Sequence, residues 1–192
     1  SRLEAIIRSR PETPVIVWGH HELFHGPMDR AVLDAIERER PVFVWQRSFH
    51  DIYANSAALA WMGLGDEATF VAAIAAGGDP HHADFAKGMF SETALQVALA
   101  KLQPVLLAPE TLARGMAGLL TLMERRGVTT TSDLATGIFA RFDMEAGLIG
   151  RAFNAPGAKA RVNLMPIAAE IDPVADLDQW LTDRRARFAS GT

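Results

Sequence analysis

The sequence predicts an α/β protein built as part of a (β/α) barrel, with about four parallel strands, their helices and a helical insertion. Three observations point there. Short continuous apolar runs of strand length recur, at Pro14–Trp18, Pro41–Trp45, Val128–Thr131 and Ala160–Ile167. Each is followed by residues at helical spacing. Continuous rather than alternating apolar strands suit a sheet covered on both faces. A whole eight-stranded barrel takes about 250 residues, so four strands in 192 residues make about half of one.

Taken in order, Leu3, Ile6 and Ile7 share one helical face, and Pro11 ends that helix. Val32, Leu33 and Ile36 mark a helix over 29–38. After Trp45 comes a polar cluster of Gln46, Arg47, Ser48, His50 and Asp51, and then a helix over 55–62 capped by Asn55 or Ser56. Phe70, Val71 and Ile74 place a helix over 66–76. The stretch 77–88, GGDPHHADFAKG, reads as an exposed loop. Thr93–Gln96 fits a capping box for a helix running to about Leu102, with Ser91 as the other candidate cap. Pro109 opens a helix that Gly127 stops. Helices are expected again over 138–153 and 173–188. Residues 1–192 are read as a single fragment of a barrel, with 66–126 as the helical insertion. The start at Ser1 inside a helical pattern and the stop at Gly191–Thr192 suggest a piece of a longer protein.

Composition limits the function. Hydrophobic residues make up 49% and charged residues 22%, an ordinary globular balance. Nineteen basic and 23 acidic residues give a net charge of −4, which offers no electrostatic case for nucleic acid or an anionic membrane. No apolar run reaches the ~18 residues of a membrane span. The absence of cysteine removes disulfides and thiolate metal sites and fits a cytoplasmic location.

The chemistry-bearing residues gather at element boundaries. His50 follows a strand between Arg47 and Asp51, where strand ends line ligand sites. It can hydrogen-bond a substrate or move a proton near neutral pH, or simply hold its loop. Arg47 can bind a carboxylate or anchor the loop. Glu92 can serve a helix N-terminus through the macrodipole, and Asp133, just past a strand, can face a site or cap a helix. His21-Glu22-Leu23-Phe24-His25 matches the H-E-x-x-H zinc-protease pattern. Gly26-Pro27 breaks the helix that this motif requires, so a polar loop is the preferred reading. His81-His82 in a Gly- and Pro-rich loop reads as solvated.

An ordered series of short matches then resembles the amidohydrolase superfamily, in the branch of metal-dependent hydrolases similar to N-substituted formamide deformylases. It runs through Trp18-Gly19, Leu33-Asp34, Pro41-Val42, His50, Asn55-Ser56, Ala58-Leu59 and Gly63. It continues in Gly88-Met89-Phe90-Ser91-Glu92 and in the stretch Gly127 to Asp133. The residues before the loop histidine depart from the pattern, with Ser48-Phe49 in place of Asp-Gly. The resemblance implies a divalent metal, zinc, that activates water against an amide-type C–N bond of a small molecule. Family ligands such as an H-x-H pair and a bridging carboxylated lysine have no counterpart in this sequence. The chain is therefore expected to supply a substrate-pocket wall of His50, Arg47, Asp133 and Glu92, to hold no cofactor itself and to be inactive alone. The alternatives are a non-catalytic half-barrel that self-associates through exposed edges, and a zinc protease using His21, Glu22 and His25.

Overall fold

The computed structural model describes residues 2–171 and 174–188. They form two compact units, one ending at Leu102 and one beginning at Gln103.

In the first unit, α1 (Arg2–Ser9) leads into β1 (Val15–His20), the single-turn α2 (Glu22–His25) and α3 (Arg30–Ile36). Then come β2 (Val42–Gln46), β3 (Asp51–Ala54), α4 (Ser56–Trp61) and α5 (Glu67–Gly77). Two short strands, β4 (Ala83–Asp84) and β5 (Met89–Ser91), precede α6 (Leu95–Leu106). The five strands make one sheet in the order β1-β2-β3-β5-β4. Only β1 and β2 run parallel; every other pairing is antiparallel.

The register sorts the side chains. Trp45 lies opposite Ile52, and Ile52 opposite Phe90, so with Phe43 they share one face. On that side Phe43 meets Trp61, and Phe90 meets Phe70 of α5. Val44, Tyr53 and Met89 take the opposite face, where Val15, Val42 and Val44 pack with Ile7 of α1 and Leu33 of α3.

Asn55 joins this sheet to its helices. It is fully buried. Its Oδ1 accepts from Val42 N at 3.0 Å and from Ala58 N at 2.8 Å, capping α4. Its Nδ2 donates to the carbonyls of Glu37 (2.7 Å) and Arg40 (2.9 Å). The neighbouring Ser56 donates from N and Oγ to Asp34 of α3, and Arg30 Nε donates to Ser56 Oγ at 2.7 Å. Asp34 and Ser56, far apart in sequence, thus form one contact. Gly88 has φ +61°, and a Cβ there would lie 2.2 Å from Ala54 O, so only glycine lets β3 and β5 approach.

In the second unit, α7 (Pro109–Arg125) precedes β6 (Thr130–Thr136), α8 (Phe142–Phe153) and β7 (Arg161–Pro166). α9 (Ala168–Ile171) and α10 (Leu177–Phe188) follow. β6 and β7 pair in parallel. Met123 of α7, Phe153 of α8 and Ala160 form the core, joined by Met116, Ile149 and Val162. Gly127 ends α7 at φ +69°, with Val128 N donating back to Met123 O.

The four expected strands all form, as two parallel pairs rather than as four strands of one sheet. Among the described residues there is no closed barrel. Three strands escaped the sequence reading. Residues 51–54, taken as loop, turn back on β2 as β3 because Ile52 and Tyr53 bury on opposite faces of the sheet. β4 and β5 lie inside the segment 66–126, which therefore mixes α5, α6 and α7 with sheet. The stretch 77–88 is likewise part turn and part strand rather than open loop. The expected capping box at Thr93 does not form. Thr93 Oγ1 accepts from Asp79 N instead, and a short 3₁₀ turn over Glu92–Ala94 starts α6. α8 begins at Phe142 rather than 138 because the N–H groups of Gly137, Phe139 and Ala140 all donate to the Glu145 carboxylate. The expected start of the last helix at Pro173 lies outside the described residues.

Candidate functional site

The carboxyl ends of β1 and β2 open at one edge of the first unit's sheet, beside the turn 47–50 that leads into β3. Arg47 N donates to His20 O at 2.7 Å, binding that turn to the end of β1. Trp45 stacks on Phe49 at 4.6 Å and donates from Nε1 to Phe49 O at 3.2 Å. The turn is thereby fixed from below by a buried indole.

Above it, His50 and Glu92 meet, although 42 residues separate them. His50 Nδ1 lies 3.1 Å from Glu92 Oε1 and 3.2 Å from Oε2, so both carboxylate oxygens face one ring nitrogen. Glu92 N also donates to His50 O at 3.1 Å, continuing the β3–β5 ladder by one step. A carboxylate on Nδ1 fixes the imidazole orientation and leaves Nε2 for another partner. Both side chains are more than half exposed, so a solute can reach the pair.

The backbone carries strain here. Phe49 (φ +73°) and Glu92 (φ +44°) are the two non-glycine residues with positive φ among the described residues. One immediately precedes His50 and the other is its partner. Such conformations cost roughly 1–3 kcal/mol each and persist where surrounding structure enforces them, often at ligand sites. Asp51 next door accepts from Ser91 Oγ at 2.6 Å, closing the rung below the pair.

The other expected residues fall elsewhere. Arg47 lies on the same turn, its side chain exposed, and its defined contact is the main-chain bond to β1. Asp133 belongs to the second unit. It sits within β6, not past its end, and accepts from Thr136 Oγ1 at 2.9 Å and Ala135 N at 3.4 Å. That correction makes it a local fastener of the strand, since β6 runs on to Thr136. His82 Nδ1 sits 3.0 Å from Thr93 Oγ1, a structural contact.

The zinc-protease pattern does not take the form it needs. α2 is one turn, closed by Gly26 at φ +81°. His25 Nδ1 accepts from His21 N at 3.0 Å, and His21 Nδ1 accepts from Leu23 N at 3.3 Å as the N-cap. Among the described residues, no three of His, Asp and Glu gather in a way that could hold a metal ion. The residues present do not fit a catalytic metal.

Two further residues at this edge were not anticipated. His20 ends β1, is 6% exposed, and its buried Nε2 has no hydrogen-bond partner among the described residues. It helps line a cavity of about 580 Å³ with Trp18, Phe24, His25 and Met28. Burial, reinforced by His25, holds its pKa below the ordinary 6.5. Tyr53 donates from its hydroxyl to Glu22 Oε1 at 3.4 Å. Burial, with Asp51 and Glu22 nearby, raises its pKa to about 12. The sequence signal for His20 is its place at a strand end, directly before the H-E-x-x-H pattern.

The depressed value of His20 has a consequence. The unfolded chain takes up this proton at a higher pH than the folded one, so stability falls as pH drops from about 6.5 through the folded value. Urea unfolding of the first unit is expected to show a lower midpoint at about pH 5.5 than at about pH 7.5. In His20→Gln that pH slope should shrink; an unchanged slope assigns it to other groups.

No protein-family model matches the chain, and no curated protein matches it. In structure it is similar to an uncharacterized metal-dependent hydrolase from Pyrococcus horikoshii OT3, with a TM-score of 0.54 and 16% identity. That match covers 86% of this chain and 30% of the hydrolase chain. An uncharacterized metal-dependent hydrolase from Pyrococcus furiosus gives a TM-score of 0.49 at 19% identity, over 85% of this chain and 31% of its own. At 16% identity the likeness to the first is one of fold, and the chain spans less than a third of each hydrolase's length. Among the described residues no single helix is long and apolar enough to cross a membrane.

Proposed function

We propose that this chain is part of a metal-dependent hydrolase of the amidohydrolase type, similar to N-substituted formamide deformylases, acting in the cytoplasm on amide-type C–N bonds of small molecules. The single observation that carries the reading is the His50–Glu92 pair, held where β3 begins and β5 ends, with Phe49 before it and Glu92 itself both at positive φ. The fold likeness to the Pyrococcus horikoshii hydrolase supports the same direction. So does the ordered series of short sequence matches.

In this reading the two parallel pairs, β1–β2 and β6–β7, are portions of an incomplete barrel. The divalent metal, zinc, would be held by residues that this chain does not supply, and would provide the activated water when bound. This chain's own part is to bind and orient. Glu92 fixes the His50 ring, and His50 Nε2 is offered to a polar atom of the substrate. Arg47 stands on the same turn to meet a negatively charged substrate group.

The test is the metal content of the 192-residue chain after equilibration with zinc and exhaustive dialysis, read by plasma mass spectrometry. Zinc far below one ion per chain is expected. One tightly held ion per chain contradicts the reading and returns attention to His21, Glu22 and His25.

A second reading, a non-catalytic module that self-associates, is favoured by one observation. Trp18, Leu23 and Phe24 are 62%, 86% and 73% exposed around the end of β1 and α2. Light scattering separates the two: a monomer at high concentration counts against the module.

A further inference from the structure

The second unit contains a cleft that the proposed hydrolase chemistry does not use. It has a volume of about 430 Å³ and lies between α8, β7 and α10. Its lining is unbalanced in charge. Arg161, Arg184 and Arg185 belong to its lining with Asn154 and Asn163, and among the described residues no Asp or Glu does. This occurs in a chain whose net charge is −4.

The three arginines are not equivalent. Arg184 is committed to the wall. Its guanidinium lies 4.0 Å over the Trp180 ring, and its Nε is 3.0 Å from Asp143 Oδ1, behind the lining. Asp143 also takes Arg187, at 3.0 Å, so its charge is spent. Arg161 and Arg185 have no hydrogen bond or ion pair from their side chains among the described residues. Two guanidinium groups are therefore left to face the cleft without a counter-charge.

The other wall is aromatic. Phe142 is buried, its ring centroid 5.3 Å from that of Trp180 and 6.0 Å from that of Phe188. Flat rings meeting at steep angles give a surface that receives another ring by offset or edge contact. The volume suits a ligand of one or two rings.

We propose that this cleft binds a planar aromatic anion, its ring against Phe142, Trp180 and Phe188 and its carboxylate or phosphate on Arg161 and Arg185. The guanidinium fork accepts either anion through paired hydrogen bonds, so carboxylate and phosphate share the same chemistry here. The amide of Asn154 adds a neutral donor that does not depend on the charge of the ligand, while that of Asn163 donates to Ser132 Oγ at 3.4 Å.

Isothermal titration calorimetry of the 192-residue chain tests this with 2-naphthoate, 1-naphthyl phosphate and the neutral 2-naphthylmethanol. One site is expected for at least one anion, about ten-fold or more tighter than for the alcohol and weaker at high salt. Arg161→Gln with Arg185→Gln should remove that ten-fold advantage and leave the alcohol unchanged. Both side chains are exposed, and matching circular dichroism and thermal midpoints confirm that the double variant folds. Whichever anion binds more tightly identifies the ligand class. Equal binding of alcohol and anions, an unaffected double variant, or no binding of either anion at millimolar concentration overturns the proposal. None of these outcomes bears on the metal content or on His50, so this proposal and the hydrolase reading fail separately.

Discussion

Asn55→Ala is expected to destabilise the first unit by roughly 3–5 kcal/mol, a large part of a domain's usual 5–15 kcal/mol. The substitution removes four hydrogen bonds at once, two accepted by Oδ1 and two donated by Nδ2. Asn55 is fully buried, so water does not replace them without opening the structure. Val42 N, at the start of β2, and Ala58 N, in the first turn of α4, are left as unmet donors. The carbonyls of Glu37 and Arg40 are left as unmet acceptors. Each unmet buried group costs about 1–3 kcal/mol, more than the net worth of an ordinary bond. Asn55→Asp separates the contributions. It keeps the acceptor that caps α4 but loses both donors and places a charge in a buried site, so it too should be destabilising. The midpoint of urea unfolding followed by circular dichroism reads the effect. A shift no larger than that of a surface substitution would show that Asn55 is not the joint between sheet and helices.

How far the sequence reveals this fold follows from the range of each signal. The apolar runs at 14–18, 41–45 and 160–167 declared β1, β2 and β7, although only β2 is buried on both faces; β7 alternates between exposed and half-buried residues. Asp29, Asn55 and Asp66 mark helix starts through a side chain that bonds three residues onward, a local event visible in sequence. β3 was invisible for the opposite reason. Four residues, Asp51–Ala54, carry too little pattern, and their strand state comes from pairing with β2 and with the distant β5. Glu145 shows the same limit. It captures the N–H groups of Gly137, Phe139 and Ala140, the last two from within the expected helix, a capture that spacing does not announce.

The site divides in the same way. His50 and Glu92 were each noticed at an element boundary, but their contact across 42 residues exists only because β3 and β5 pair. Without β3, the polar turn read as a loop between a strand and a helix. Asp133 was expected just past a strand; β6 instead runs on to Thr136, whose Oγ1 donates to the Asp133 carboxylate. The buried, unpartnered nitrogen of His20 depends on packing of β1 against residues around α2, which no local pattern records.

The second large effect concerns activity. In the full-length hydrolase proposed to contain this chain, His50→Ala is expected to lower kcat/KM for an N-substituted formamide by about 100-fold or more, the scale of a lost positioned proton donor or acceptor. Glu92→Gln should cost less, because the amide oxygen can still accept from Nδ1 and hold the ring. Glu92 acts through His50, so Glu92→Gln should cost nothing further in kcat/KM when His50 is already alanine, whereas a residue needed only for folding would add its own loss. The sheet edge itself should survive, since both side chains are exposed and the ladder bond between Glu92 N and His50 O is main-chain. The most direct measurement is therefore kcat/KM together with bound metal per chain for His50→Ala in that hydrolase. Activity lost with the metal fully retained is the result expected of a substrate-side wall. Full activity in the variant, or loss of activity together with loss of the metal, contradicts it.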